Sequence, residues 1–317
     1  MKYKKLGKSG IEISVIGHGT WGMGNDIFGE VDENSAIKSL HASIDAGVNF
    51  IDTAAVYGED RESEKLVGKA LSGRRDQVVL ATKVGVLRYE KTCYVNCLKP
   101  EVIRIELEKS LKALRTDYVD LYQIHWPDNN TPIERTVEEL ARMKEEGKIR
   151  AIGVSNYSVE QIKTASKVTD IASAQPQLNL LNRNSVSNGI IPHCEANDIA
   201  VLTYGSLAGG VLSGKMSKMP EVEGKEKRGT FYPFYREPMW SKVQELLAEL
   251  NMIAEKRNVP VAEVSINWVL AQSGVTCALL GTTNPERALQ NAKAADWSLE
   301  PEELDMIEKA CTRIFKK

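Results

Sequence analysis

The sequence of 317 residues lacks any run approaching the roughly 20 apolar residues that a membrane-spanning helix requires. Its first residues, Met1-Lys2-Tyr3-Lys4-Lys5, lead into a polar turn at residues 7–10, without the apolar run and small-residue cleavage site of a secretory signal. An excess of one charge is missing too. The 41 Lys and Arg against 43 Asp and Glu leave a net −2, spread evenly, with no basic footprint for nucleic acid and no polybasic membrane patch. The five cysteines, at positions 93, 97, 194, 277 and 311, are odd in number and scattered, so no disulfide framework is expected. Cys93 and Cys97 share a loop, but no second pair follows at zinc-ligand spacing, and no metal is expected. No Gly-x-Gly-x-x-Gly follows the first apolar strand, since Gly17-His18-Gly19 is too short to count, so nothing points to a Rossmann dinucleotide site. A barrel hydrolase would need two carboxylates at strand ends, and that pair is absent. The remaining expectation is small-molecule chemistry in a cytoplasmic protein with reduced thiols.

What is present is a regular alternation. With 42% hydrophobic residues the chain can bury a large core, and a domain of this size removes about 75% of its unfolded surface from water. Residues 2–15 read as a hairpin turned by Gly-Lys-Ser-Gly. Eight apolar strand-like runs follow, at 16–19, 50–53, 78–83, 119–124, 149–154, 174–178, 200–204 and 277–280. Amphipathic helical runs lie between them. In 101–114, Val102, Ile103, Leu107, Leu111 and Leu114 recur at helical spacing behind Pro100. The run 131–146 enters at Thr-Pro and stops at Gly147. Eight short strands buried on both faces, each followed by a helix, predict an α/β fold of the (β/α)8 TIM-barrel type, with an open doubly wound sheet as the alternative. Residues 205–238, after the seventh strand, are too long for an ordinary connection and read as a functional loop. Extra helices are expected at 239–258, 261–273 and 301–313. With no linker or low-complexity tract, residues 1–317 are expected to form one domain.

In such a barrel the reactive groups gather at the C-terminal strand ends. The second strand ends at Asp52, with Tyr57 in the following loop; the third ends at Lys83 and the fourth at His125. Reducing a carbonyl requires a hydride at carbon and a proton at oxygen. A phenol supplies the proton if its acidity is raised from its ordinary pKa of about 10. A neighbouring ammonium does that by stabilising the phenolate, and a carboxylate keeps the ammonium charged and in place. Lys83 and Asp52 fit those roles, and His125 can donate a hydrogen bond to the carbonyl oxygen. Taken singly, each has an ordinary reading, as a packed tyrosine, a solvated lysine, a core histidine or a turn-capping aspartate. Their joint position at successive strand ends is what points to chemistry.

At those residues the sequence resembles the aldo-keto reductase family, and the similarity covers almost the whole chain. It is carried by Gly-His-Gly-Thr-Trp-Gly (17–22), Gly-Val-Asn-Phe-Ile-Asp-Thr-Ala-Ala-Val-Tyr-Gly (47–58), Ala-Thr-Lys-Val (81–84), Asp-Tyr-Val-Asp-Leu-Tyr-Gln-Ile-His-Trp-Pro (117–127) and Gly-Lys-Ile-Arg-Ala-Ile-Gly-Val-Ser-Asn-Tyr (147–157). The resemblance implies a (β/α)8 barrel, a nicotinamide cofactor, no metal, and Tyr57 as proton donor with Asp52, Lys83 and His125 as partners. It further implies a dinucleotide lying extended across the strand ends, beside Gly19, Thr20, Trp21 and Asp52. Ser155, Asn156 and Gln175 would hold the carboxamide and Tyr204 would stack on the nicotinamide. Residues 205–215, with Gly205, Ser206, Leu207 and Lys215, would take the pyrophosphate. Gly281, Thr282, Thr283, Arg287, Gln290 and Asn291 would surround an adenosine 2′-phosphate. Ser206 stands where relatives frequently carry Pro. Gly281 stands where many carry Lys or Arg, so NADH stays open beside NADPH.

Trp21, Tyr57, His125 and Trp126 are expected to meet the substrate, walled by loops at 26–28, 88–98, 126–130 and 231–236. Arg88, Asn96, Asp128 and Arg236 would offer hydrogen bonds to hydroxyls or to an anionic group of an aldose or keto-sugar. The expected activity is NADPH-dependent reduction of an aldehyde or ketone. The alternative is a nicotinamide-binding regulatory subunit acting through a protein partner, as channel β subunits of this family do.

Overall fold

A computed structural model describes residues 1–25, 28–90, 93–216, 218, 219, 229 and 232–315. The strands in chain order are β1 (Tyr3–Lys5), β2 (Glu12–Ser14), β3 (Ile16–Gly19), β4 (Phe50–Asp52), β5 (Val79–Val84), β6 (Val86–Glu90), β7 (Cys93–Asn96), β8 (Val119–Ile124), β9 (Ile149–Ser155), β10 (Ser173–Gln175), β11 (Ala200–Thr203) and β12 (Val275–Gly281). Strands β3, β4, β5, β8, β9, β10, β11 and β12 are parallel and close into a barrel, β12 pairing back onto β3 through Ala278↔Ile16 and Gly281↔Gly19. This is the (β/α)8 barrel.

Each barrel strand is buried on both faces, and the period of two divides its residues between two cores. Phe50, Ala81, Leu121, Ala151, Leu202 and Leu279 point inward and pack on one another. Ile51, Leu80, Tyr122, Ile152, Val201 and Leu280 point outward against the helices. A slip of one residue in any strand would exchange the two sets, so the register is strongly specified. The β1–β2 hairpin pairs antiparallel, and its Leu6, Ile11 and Ile13 join the inner cluster. Gly7 at its turn lies against the carbonyls of Ala172 and Asp198, which precede β10 and β11. The hairpin therefore closes the N-terminal end of the barrel, leaving the other end for the site.

Helices Pro100–Leu114 and Ile133–Glu145 lie where the sequence places them, the first entered at Pro100 and the second followed by Gly147 at φ 77°. Met239–Arg257, Val261–Leu270 and Pro301–Phe315 are the expected extra helices, the second ending short of residue 273. Strand β10 is shorter than the expected 174–178, because Pro176 has no N–H for the ladder; Gln177 then makes a single bridge to Tyr204. Residues 86–96, which include most of the loop expected at 88–98, fold as the antiparallel β6–β7 hairpin. Among the described residues, no helix is long and apolar enough to cross a membrane.

Candidate active site

The inward series of each strand continues past its apolar members into polar ones: Phe50 to Asp52, Ala81 to Lys83, Leu121 to Gln123 and His125, Ala151 to Gly153 and Ser155, Leu202 to Tyr204. Alternation alone thus aims these side chains at the barrel mouth. Asp52 and Lys83 are 3% and 1% exposed. The Lys83 ammonium is paired with Asp52 Oδ1 and donates to the Thr53 carbonyl at 3.0 Å and to the Tyr57 hydroxyl at 3.2 Å. Burial alone would lower the Lys83 pKa, but the Asp52 charge and the two side-chain hydrogen bonds outweigh it, so the pKa is raised. A permanent cation therefore stands beside the phenol.

Tyr57 stacks on Trp21, with ring centroids 6.2 Å apart, and meets His125 edge-on at 5.7 Å. Burial, and after it the Lys83 charge, pushes the His125 pKa well below its ordinary value, so the imidazole is neutral near neutral pH. The Tyr57 loop is held from the other side by Gly24: a Cβ there would lie 2.6 Å from the Gly58 nitrogen and 2.7 Å from the Tyr57 carbonyl carbon.

Tyr57 and His125 open onto a cleft of about 870 Å³ that runs across the strand ends. Every position expected to hold a dinucleotide lines it: Gly19, Thr20, Trp21, Asp52, Ser155, Asn156, Gln175, Tyr204, Gly205, Ser206, Leu207, Lys215, Gly281, Thr282, Thr283, Arg287, Gln290 and Asn291. The Tyr204 hydroxyl donates to Asn156 Oδ1 at 2.9 Å, and Asn156 Nδ2 donates to the His125 carbonyl at 2.9 Å. Asn156 sits at φ 59°, which turns the chain sharply after β9. Gly205, Gly209, Gly210 and Gly214 also have positive φ, and the compact turn they build exposes backbone to the cleft. Lys215 donates to Gln290 at 3.3 Å, drawing that loop toward the helix Pro285–Lys293. Arg287 is exposed on this helix and makes no ion pair among the described residues. Its N-cap is Asn284, whose side chain accepts from the Arg287 backbone N–H at 2.9 Å.

The Aldo/keto reductase family model matches residues 15–311. The chain belongs to the aldo-keto reductase family. It is similar to Aldo-keto reductase YhdN of Bacillus subtilis (strain 168), at 38% identity over 96% of this chain and 91% of that protein. A second relative is the NADH-specific methylglyoxal reductase of Escherichia coli (strain K12), at 33% identity over 94% and 95% of the two chains. Among solved structures, the glycerol dehydrogenase AKR11B4 from Gluconobacter oxydans superposes with a TM-score of 0.89 at 34% identity, over 99% of this chain and 96% of that one. As an aldo-keto reductase the protein is an NAD(P)H-dependent oxidoreductase of small-molecule carbonyl compounds.

The structure of this aldo-keto reductase brings Asp52, Tyr57, Lys83 and His125 together, and Trp126 joins them on the cleft wall. It corrects the polar groups expected to meet hydroxyls or an anion, none of which lines the cleft. Asp128 is buried and spends its carboxylate on the backbone N–H groups of Leu98 and Asn130 and the Thr131 hydroxyl, as a turn-forming aspartate does. Arg88 donates to the Tyr94 hydroxyl at 2.7 Å, and Asn96 donates to the Pro127 carbonyl at 3.0 Å. Arg236 sits on the exposed turn after residues 233–235. Of the aromatic cluster beside it, Tyr232 reaches the cleft, while Phe234 and Tyr235 pack with Tyr232 and Trp240. Phe231 and the loop positions Asp26 and Ile27 lie outside the described residues. Phe28 and Tyr94 supply the remaining aromatic wall.

One polar neighbour of the site escaped the sequence reading. Gln123, fully buried, donates through Nε2 to Asp52 Oδ2 at 2.9 Å, as Gln175 does at the same distance. Its signal was available: it stands two residues before His125 on the inward face of β8, where Leu121 is the preceding member.

Proposed function

We propose that the protein reduces small aldehydes and ketones to alcohols with NADPH, and that Tyr57 gives up the proton while Lys83, Asp52 and His125 prepare it. The observation that carries this reading is the buried Lys83 ammonium set between Asp52 and the hydroxyl of Tyr57, a residue that lines the cleft. Coulomb's law at an effective dielectric of about 20 gives roughly 5 kcal/mol of attraction between a charge at that 3.2 Å distance and a phenolate. This is an upper bound, since water reaches the cleft, yet even a third of it moves a phenol by about one pKa unit toward neutrality. Neutral His125 donates a ring N–H to the carbonyl oxygen and returns no competing charge to the site. Residues 1–317 act as a single catalytic domain in the cytoplasm.

The cleft residues fit a dinucleotide, which when bound supplies a hydride. Tyr204 offers a flat face, and Ser155, Asn156 and Gln175 offer amide and hydroxyl groups beside it. The glycine turn allows a pyrophosphate to approach backbone N–H groups, and Lys215 adds a cation. NADPH is favoured over NADH because the Arg287 guanidinium is free to pair bidentately with a 2′-phosphate. The glycerol dehydrogenase and methylglyoxal reductase activities named for the relatives are opposite directions of one alcohol–carbonyl exchange and concern small, oxygen-rich molecules. The aromatic wall of Trp21, Phe28, Tyr94 and Trp126 suits substrates of that size.

The test is cofactor oxidation by purified protein against a panel of aldehydes, ketones and sugars, with NADPH and NADH in parallel. Many turnovers per protein are expected, along with loss of about 10²–10⁴-fold in kcat for Tyr57→Phe while the cofactor still binds. No substrate turned over with either cofactor, or full activity in Tyr57→Phe, would end the proposal. Oxidation limited to one equivalent of cofactor would favour the regulatory-subunit reading.

A further inference from the structure

We propose that Gln123 is a positioning residue for the proton donor, acting on Tyr57 through Asp52 and Lys83 and at the same time fixing the Gln175 amide toward the cofactor. This rests on the reading of Tyr57 as the proton donor.

The carboxylate of Asp52 can only accept, so the amide nitrogen of each glutamine must face it. Gln123 Nε2 and Gln175 Nε2 both donate to Oδ2 at 2.9 Å, while Oδ1 takes the Lys83 ammonium. Gln175 Nε2 also donates to Gln123 Oε1 at 3.1 Å. That second bond uses the remaining N–H of Gln175 and turns its Oε1 away from Gln123. Gln175 lines the cleft, and its Oε1 makes no hydrogen bond among the described residues. The three side chains therefore form one network in which Asp52 and Gln123 together fix which way Gln175 faces: amide nitrogen inward, carbonyl oxygen left to accept from a ligand amide.

Packing does not explain Gln123. The layer below it is apolar, with Ala81, Leu121 and Ala151, and an amide in such a place is costly unless its hydrogen bonds are met. The barrel instead opens space for it. Gly153 pairs with Gln123 across β8 and β9, and a Cβ at Gly153 would lie 2.9 Å from Gln123 Cγ. Two N–H donors on Oδ2 draw negative charge from Asp52 and so leave more of the Lys83 charge to act on the Tyr57 hydroxyl. Removing one donor concentrates charge on the carboxylate, weakens the net positive field at Tyr57, and raises the pH at which Tyr57 ionises.

The experiment replaces Gln123 by Met, which keeps length and volume with no donor and only a weak sulfur acceptor, and by Leu as a second variant. Tyr57 ionisation is followed in the cofactor-free protein by ultraviolet difference absorbance of the phenolate against Tyr57→Phe. It is followed again as the pH profile of kcat/KM with NADPH, and cofactor affinity is read by fluorescence titration. The expected result is an upward move of about half to one pH unit in both titrations. A several-fold fall in kcat and weaker cofactor binding accompany it, because Gln175 is then held by its Asp52 hydrogen bond alone. A folded Gln123→Met or Gln123→Leu protein with an unchanged Tyr57 titration overturns the proposal, even if its melting temperature falls, since that pattern marks a core amide with no reach to the proton donor. The cofactor-free titration decides the matter even if no reductase activity is found, so failure of the proposed function and failure of this inference are told apart.

Discussion

Asp52→Asn removes one charge from a buried pair and leaves the other. Lys83 is 1% exposed, and its pKa is raised only because Asp52 and Tyr57 overcome burial. Breaking a buried ion pair from one side costs about 3–5 kcal/mol, which for a chain of this size corresponds to a melting temperature lower by roughly 5–10 °C. The pH dependence of that loss carries the diagnosis. In the wild type the Lys83 pKa lies above its ordinary 10.5, so its contribution is complete below that value and is lost only as pH rises through the raised one; stability has no Lys83 slope near neutrality. In Asp52→Asn, burial, the largest of the influences on Lys83, should dominate and bring the folded pKa below its ordinary value. The unfolded chain then binds the extra proton, and stability rises with pH between the folded and unfolded values. Melting curves from about pH 7 to pH 10 should therefore show the variant regaining part of its loss, while the wild type does not. Because Lys83 gives up its proton within this range in the variant, the group assigned to Tyr57 loses its neighbouring cation and should ionise at higher pH in the rate profile, with kcat lower by about 10²-fold and cofactor still bound. A constant deficit in melting temperature across this range, together with an unshifted rate profile, would refute the argument that Asp52 acts by holding the Lys83 charge.

Two further substitutions probe the cofactor and the loop. Arg287→Gln should raise the KM for NADPH by about tenfold, the value of one charge-assisted contact, and change that for NADH by less than about twofold; equal changes for both would remove Arg287 from 2′-phosphate recognition. Gly24→Ala forces backbone against backbone at Gly58 and Tyr57. Small misplacement of a reacting group is costly, so kcat should fall by about tenfold or more while cofactor affinity measured by fluorescence titration holds within about twofold. Unchanged kcat would show that the Tyr57 loop does not depend on this contact.

The barrel was legible because its signal is redundant. Eight strands buried on both faces, separated by amphipathic helices such as the one entered at Pro100 and the one that runs from Pro132 to Gly147, leave few other topologies, and the strand ends followed once the strands were placed. Legibility failed where a residue type has two uses in the same setting. Asp128 reads as a hydroxyl-binding carboxylate by position, yet the Asp-Asn-Asn sequence after Pro127 is also turn chemistry, and the nearby N–H groups of Leu98 and Asn130 claim it first. The hairpin at 86–96 was read only as part of a loop at 88–98 because it has no buried apolar face to set a period: Tyr89, Tyr94 and Val95 are all exposed. Gln123 is the instructive case. The alternation that aims His125 at the cleft applies equally two residues earlier, and in a strand whose inward positions are Leu121, Gln123 and His125 the middle one has to be hydrogen-bonded inside the barrel. On the neighbouring inward faces, Asp52 is the carboxylate able to accept from it while already holding Lys83, and Gly153 is the gap that lets it reach. The polar residue that follows Leu121 on the inward face of this strand is thus the sequence's own trace of how the Asp52 charge is held.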